Sequence, residues 1–107
     1  MDYRIWLDDL RPAPIGWLWC HSVDEAKSAI REFLEVIEDS EFDYRIALDL
    51  DHDLGDYASF GGDAIKLVDW IEANDCGEFF MFHIHTANPV GRQNMMAVIQ
   101  HNDWEMF

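Results

Sequence analysis

The alternation of short apolar runs with helically patterned segments constrains this fold more than any other feature of the sequence. The strand-like runs are "YRIWL", "WLWCH", "YRIALDL" and "EFFMFHIHT". Apolar residues recur at helical spacing after Ser22, after Gly62 and after Asn88. Ser22 and Glu25 have the spacing of a capping box, which marks a helix start. Strands separated by helices predict an α/β fold with a parallel sheet, right-handed crossovers and helices on both faces.

Length and charge narrow the function classes. The chain has 107 residues, half of them hydrophobic, which is enough for one core, so we expect residues 1–107 to form a single domain. Its 22 acidic residues against 7 Lys and Arg give a formal charge of -15. That charge repels nucleic-acid backbones and anionic membranes, so we expect no broad DNA or RNA surface and no membrane binding. Binding of a protein partner to the acidic surface stays a possibility.

The cysteines and the lack of targeting segments indicate the cellular location. The two cysteines lie far apart in the sequence, and there is no signal peptide or long apolar run, which favours reduced thiols in a cytoplasmic protein.

Acidic residues directly follow two of the predicted strands. Asp8 and Asp9 follow the first strand, and Asp51 follows the third. Because the carboxyl ends of parallel strands meet at one edge, where ligands bind in such sheets, we expect these side chains to converge. Three carboxylates at one edge would form an oxygen cage suited to Mg²⁺ or Mn²⁺. The alternative is that they cap loops or lie in solvated turns.

Three histidines lie on or beside these strands. His83 and His85 are two residues apart in a strand and so share a face. His83 lies deeper in the apolar run and is expected to be buried and satisfied. His85, at the strand end, and His52, in the acidic loop, are the acid–base candidates, because acidic neighbours favour a protonated imidazole. Asp49 lies inside its strand, where we expect it to bond to backbone or solvent outside the site.

The segment "HTANPVGR" is a candidate anion site. Thr86 offers a hydroxyl, and Asn88 is predicted to cap a helix whose first residue is Pro89. The free amides of a helix start bind anions, and Arg92 with Arg11 could add phosphate contacts. The alternative is an ordinary Asn-Pro helix start whose neighbouring arginines merely neutralise acids.

The motifs resemble those of response-regulator receiver domains. The matching segments are "IWLDD", "LDHDLG" and "HTAN". The resemblance implies that Asp51 is at the phosphoacceptor position, that Asp53 supplies a backbone carbonyl to the metal, and that Thr86 is the hydroxyl residue. Two departures argue against a phosphoaspartate relay. The segment "LRPAPIG" replaces the first crossover helix, and no lysine follows Lys66 to act as the switch lysine.

A closer resemblance covers nearly the whole chain. The segments "WLDDLRPAPIGWLWCHSVDEA", "LDHDLG" and "HTANPVGRQNM", in that order, are similar to the cyclic-phosphate processing receiver-like domains. The resemblance implies a shortened flavodoxin-like, receiver-like three-layer sandwich with the first crossover helix missing, for which we expect the sheet order 2-1-3-4. It also implies activity on cyclic-phosphate ends of nucleotides or RNA. The site residues that it implies are Asp8, Asp9, Arg11, Asp51, His52, Asp53, His85, Asn88 and Arg92.

The preferred hypothesis is a metal-assisted phosphoesterase that acts on a cyclic phosphate of a nucleotide or RNA end, with Mg²⁺ or Mn²⁺ as the cation. Two alternatives stay open: a non-enzymatic receiver-like signalling or binding module, and an acidic interaction protein that mimics nucleic acid. The sequence does not decide whether "DWEMF" forms a fifth strand. The predicted residues are Asp8, Asp9, Asp51 and Asp53 for the metal, His52, His85 and Asp51 for catalysis, and Arg11, Thr86, Asn88 and Arg92 for the substrate.

Overall fold

Five parallel strands form the sheet of the computed structural model, which describes residues 2–107. The strands are β1 (Asp2–Leu7), β2 (Leu18–Cys20), β3 (Arg45–Leu50), β4 (Phe80–Ile84) and β5 (Glu105–Met106). Their order across the sheet is β2-β1-β3-β4-β5. The predicted order 2-1-3-4 and the receiver-like α/β class are confirmed. The segment "DWEMF" does supply a fifth strand, which pairs with β4.

Three α-helices connect the later strands. They are α1 (Val23–Glu38), α2 (Ala64–Ala73) and α3 (Pro89–His101). Ser22 caps α1 by accepting a hydrogen bond from the Glu25 amide, and Asn88 caps α3 by accepting from the amides of Val90 and Gly91. Both predicted helix starts are therefore confirmed. Within residues 2–107, none of the helices is long and apolar enough to cross a membrane.

The three helices lie on the same face of the sheet. The crossovers from β2 to β3, from β3 to β4 and from β4 to β5 all run in one direction across the sheet, so right-handed connections place every helix on one side. Only the β1–β2 connection runs the other way, and it contains no helix. The missing first crossover helix was predicted, but its consequence was not. The expected helix layer on the second face needs correction, because no helix of the described chain lies there.

The alternation of side chains along each strand separates the two faces of the sheet. On the covered face, which packs against the helices, strand side chains are fully buried, as at Ile5, Leu48 and Phe82. Helix residues such as Ile30 and Leu67 complete this core. The other side, called the open face here, carries a registered row of three neighbouring residues. That row is Trp6, Asp49 and His83.

The carboxyl ends of the central strands lie side by side, as the sequence predicts. The Asp51 amide donates to the Leu7 carbonyl over 2.9 Å, and the His85 amide donates to the Leu50 carbonyl over 2.8 Å. Hydrogen bonding between neighbouring strands therefore continues one residue beyond the ends of β3 and β4. This brings the polar segments that follow β1, β3 and β4 to one edge.

Candidate functional site

Three carboxylates meet at this edge. Asp8, Asp9 and Asp51 each offer an oxygen atom, and these atoms lie within 4.8 Å of one another. Asp8 is completely buried, and Asp51 is 8% exposed. The convergence predicted for these residues, called the acidic cluster below, is confirmed. An oxygen-only donor set fits a hard divalent cation such as Mg²⁺, which binds few carboxylates and keeps several waters.

Asp8 is the most constrained member of the acidic cluster. Its Oδ1 accepts from the backbone amides of Leu10 at 2.9 Å and Arg11 at 2.7 Å. Its Oδ2 faces His85 Nε2 at 3.0 Å and Arg11 Nε at 3.2 Å. Burial raises the pKa of Asp8, but the hydrogen bonds from Arg11, Leu10 and His85 outweigh burial and hold that pKa below its ordinary value. Asp8 is therefore an oriented, ionised carboxylate.

Asp9 is the member of the acidic cluster whose ionised form is disfavoured by its surroundings. Burial and the negative charges of Asp8, Asp51 and Asp53 raise the pKa of Asp9. The loop after β3 approaches this side chain closely at Gly55, where a Cβ atom would lie 2.6 Å from Asp9 Oδ2 and where φ is +55°. Glycine is favoured there for both reasons. A bound cation would relieve the repulsion on Asp9, so the residues present fit a metal ion.

Arg11 lies beside the acidic cluster, where the sequence predicts a substrate-binding arginine. Its Nη2 is 3.8 Å from Asp51 Oδ2, in addition to the contact between Nε and Asp8. More than half of its side chain is exposed. A guanidinium group has five N–H donors in a planar fork, so this one keeps donors free for an anion in solution.

His85 is held on three sides. Its Nε2 contacts Asp8, and its Nδ1 donates to Asp49 Oδ1 over 2.7 Å. Its ring stacks on Trp6, with centroids 3.8 Å apart and planes inclined by 6°. The Trp6 indole is fixed in turn, because its Nε1 donates to the Arg11 carbonyl over 2.9 Å. The predicted acid–base candidate His85 thus lies at the acidic cluster in a fixed orientation.

Two predictions about the open face were wrong. Asp49 was expected to bond to backbone or solvent, but its Oδ1 accepts from both His85 and His83. His83 was expected to be buried, but 44% of its side chain is exposed. Burial raises the pKa of Asp49, but the hydrogen bonds from His85 and His83 outweigh it and hold that pKa below its ordinary value. Asp49 and Trp6 are the residues near the site that sequence reasoning missed.

The carboxylate of Asp53 lies apart from the acidic cluster, in a second group with His52 and Asp63. Its Oδ1 accepts from His52 Nδ1 over 2.9 Å, and the Asn88 amide group donates to both Asp53 oxygens over 3.2 Å. The bond from His52 has the largest effect and lowers the pKa of Asp53; burial opposes it, and the bond from Asn88 lowers that pKa further. Asp53 therefore ties the β3 loop to the start of α3. The metal contact that the resemblance implies for Asp53 uses its backbone carbonyl and stays a prediction.

His52 packs against Gly91 at the start of α3, and a Cβ atom at Gly91 would overlap the His52 ring. The His52 Nε2 atom is buried and has no hydrogen-bond partner within the described chain, while Nδ1 is engaged by Asp53. The proton-transfer role predicted for His52 stays a prediction; within the described chain its Nδ1 contacts Asp53 and its Nε2 is buried.

The remaining predicted substrate ligands shape the turn before α3. Thr86 is buried, and its Oγ1 accepts a hydrogen bond from the backbone amide of Asn88 over 3.1 Å. The Arg92 Nη2 donates to the Thr86 carbonyl over 3.2 Å, and Arg92 as a whole is exposed. These residues lie at the same edge as the acidic cluster. Their contact with a substrate stays a prediction.

Comparison with known protein families links this arrangement to a described domain. Residues 3–101 match the cyclic-phosphate processing receiver domain. The matched range includes every predicted site residue and ends with the last residue of α3, before β5. Searches of curated proteins and of solved structures returned no match. The match covers well over half of the chain, and the chain therefore belongs to the family of cyclic-phosphate processing receiver domains.

Proposed function

We propose that this protein is a metal-assisted phosphoesterase that opens cyclic phosphates of nucleotides or RNA ends. One observation carries the proposal: the acidic cluster, a buried and oriented histidine and an exposed arginine meet at one sheet edge. Family membership supports a phosphate-bearing substrate. Together they favour an enzyme over a receiver-like signalling module, because a binding module needs no oriented proton donor.

Asp8, Asp9 and Asp51 would hold the cation, Mg²⁺ or Mn²⁺. When bound there, such an ion polarises a phosphoryl oxygen and lowers the pKa of a bound water. Asp8 enters this arrangement already oriented by two backbone amides. The Asp8 carboxylate therefore needs little rearrangement to bind the ion.

Arg11 is the principal phosphate ligand in this proposal, because its exposed guanidinium lies against the acidic cluster. The start of α3 contributes less than a bare helix end would, since Asn88 already accepts from the Val90 and Gly91 amides. Asn88, Thr86 and Arg92 form the neighbouring wall. The wall limits the orientations that a bound phosphate ester can adopt.

His85 supplies the proton. Water would add to phosphorus and lose one proton to the solvent while one P–O bond of the ring ester breaks. The departing oxygen would take a proton from His85 Nε2, which lies 3.0 Å from Asp8 Oδ2 at the acidic cluster, and a proton from the solvent would then restore His85. His52 supports this step indirectly by holding Asp53.

The substrate is a mononucleotide or an RNA terminus, because the formal charge of -15 opposes binding along a long polyanion. The two described cysteines are free and buried, which suits a reducing compartment and supports a cytoplasmic location.

The test is a hydrolysis panel of cyclic mononucleotides and short RNAs that end in a cyclic phosphate, run with Mg²⁺, Mn²⁺ or EDTA. We expect cation-dependent opening of at least one substrate, loss of activity in Asp51→Asn, and normal activity in Asp2→Asn, a matched control at the exposed opposite end of β1. Equal rates with EDTA and with either cation, or no turnover of the whole panel, would contradict the proposal.

A further inference from the structure

Asp49 is a buried carboxylate in the central strand of a strongly acidic chain. It is 7% exposed, and it lies on the open face between Trp6 and His83 in the neighbouring strands. Burying a charged carboxylate is unfavourable unless hydrogen bonds compensate it. Its compensation comes from two histidines that donate to the same oxygen, Oδ1. Asp49 therefore depends on these rings, and they in turn are oriented by it.

The two histidines differ in what lies beyond them. The His83 ring is partly exposed and stacks loosely on Phe107, with centroids 5.4 Å apart. The His85 ring is nine-tenths buried and continues to Asp8 through Nε2. Of the two hydrogen bonds that Asp49 accepts, the one from His85 therefore connects Asp49 to the acidic cluster.

The contact between His85 and Asp8 involves Oδ2, the Asp8 oxygen that is held by side chains. The Asp8 Oδ1 atom is fixed by two backbone amides, but within residues 2–107 Oδ2 has only the side chains of His85 and Arg11 as partners. The Arg11 side chain is exposed, whereas that of His85 is not. The orientation of Oδ2 thus depends on where the His85 ring stands, and the ring depends on Asp49 and on the stacked Trp6.

We propose that Asp49 is a positioning residue for the site: it holds the His85 ring in the orientation that braces Asp8. Among the described residues, the hydrogen bonds of the Asp49 side chain come from His83 and His85, so Asp49 acts on the acidic cluster through His85. The inference rests on the proposed function, because it assigns a purpose to the bracing of Asp8. A purely structural ion pair would instead make Asp49 matter for stability alone.

The first readout is the position of the His85 ring in metal-free protein. Stacking on Trp6 places the His85 ring protons in the shielding region of the indole, so their NMR signals in the wild type should lie upfield of those of an exposed histidine. In Asp49→Ala we expect these signals to move back toward the exposed position. His83→Ala is the matched control, because it removes a donor from the same Asp49 oxygen and should leave the His85 signals in place.

The second readout is Mg²⁺ affinity, measured by calorimetry. His85 is the outer hydrogen-bond partner of the proposed ligand Asp8, and loss of such a partner lowers affinity by about 10 to 100-fold. Asp49 acts one bond further out, so for Asp49→Ala we expect a loss of about tenfold, the lower end of that range. Asp49→Asn keeps an acceptor oxygen, so both its affinity and its His85 signals should fall between those of wild type and Asp49→Ala. If Asp49→Ala fails to fold, the Asn variant decides by the same two readouts.

Unchanged His85 signals in Asp49→Ala, or in the Asn variant if only that one folds, would overturn the inference, as would equal effects in His83→Ala. The outcomes also separate the two proposals. A wild type that binds no Mg²⁺ and opens no cyclic phosphate would refute the proposed function, whereas the NMR comparison in metal-free protein would still decide whether Asp49 orients His85.

Discussion

Neighbouring residues of β4 lie on opposite faces of the sheet, and the two faces differ in what surrounds them. Phe82 is fully buried on the covered face and stacks on Trp104, with ring centroids 5.3 Å apart. Met81 and His83, on either side of it, face the open side and are only partly buried. Because side chains alternate along a strand, one short segment serves both faces. Substitutions at adjacent positions of β4 can therefore change the stability of the protein and the chemistry of the site separately.

The absence of helices from the open face in residues 2–107 changes what that face can hold. Polar groups enclosed in an apolar helix–sheet interface are costly unless fully paired. On the open face, Asp49 accepts hydrogen bonds from two imidazole rings, and His83 keeps contact with solvent. A polar chain of contacts can therefore run across the sheet to the acidic cluster. The loss of the first crossover helix thus exposes the face through which we propose that the site is braced.

The largest effect should come from the residue that joins the open face to the acidic cluster. His85→Ala removes the proposed proton donor and should lower the turnover of a cyclic phosphate by about 10² to 10⁴-fold, the usual contribution of general acid–base catalysis. Steady-state kinetics at the pH of highest wild-type activity measure this. His101→Ala, the same change at the exposed end of α3, should leave turnover intact. A rate for His85→Ala within about threefold of wild type would exclude His85 as the proton donor.

The next effect compares the two faces directly. Phe82→Ala empties a fully buried position and should lower the free energy of unfolding by about 3–5 kcal/mol. Met81→Ala, one residue earlier on the open face, should cost about 1 kcal/mol, because its side chain is only partly removed from water. Urea denaturation of both variants measures the difference. Equal losses would contradict the separation of the two faces.

The sequence predicts the parts of this comparison that depend on local pattern. Strand ends are readable from where apolar runs stop, so the meeting of Asp8, Asp51 and His85 followed once the strands were taken as parallel. The caps at Ser22 and Asn88 were readable from residue type and spacing.

The missed features depend on pairing between distant segments. The contact between Asp49 and the two histidines requires the register of β3 with β4, which no local pattern contains. The one-sided helix layer follows only from strand order and crossover handedness taken together. The stacking of Trp6 on His85 likewise joins β1 to the residue that follows β4, and no local pattern contains it.

A smaller effect tests whether the acidic cluster is independent of the covered face. Mg²⁺ at about 100 times its dissociation constant should add about 2.7 kcal/mol to the free energy of unfolding, because the ion binds only the folded chain. Asp51→Asn should be more stable than wild type without metal, since one repelling charge is gone, and should gain less from Mg²⁺. Phe82→Ala should keep the full gain despite its low stability. Thermal unfolding in Mg²⁺ and in EDTA measures all three, and identical wild-type melting temperatures would count against a metal site.

The smallest effect concerns two helix caps that have the same structural task but different neighbours. Ser22→Ala and Asn88→Ala each remove an N-cap and should each cost about 1 kcal/mol of stability. Asn88 also donates to both oxygens of Asp53, so its loss frees the β3 loop beside the acidic cluster. The Asp53 side chain is mostly exposed, so the lost bond adds little to the cost in stability. If the bond matters only for the position of the loop during turnover, on the order of 1.5 kcal/mol lost there lowers turnover in Asn88→Ala roughly tenfold, while Ser22→Ala stays near wild type.

Asn88→Ser separates the two tasks of Asn88. Serine caps a helix about as well as asparagine, but its shorter side chain cannot reach Asp53. We therefore expect the Ser variant to unfold at nearly the wild-type urea concentration and still to lose turnover as Asn88→Ala does. If the Ser variant instead recovers both stability and turnover, capping alone explains Asn88, because α3 then needs only a well-formed first turn. In that case the contact between Asn88 and Asp53 would have no part in the site. On the side of α3, the site would then extend no further than the acidic cluster and His85.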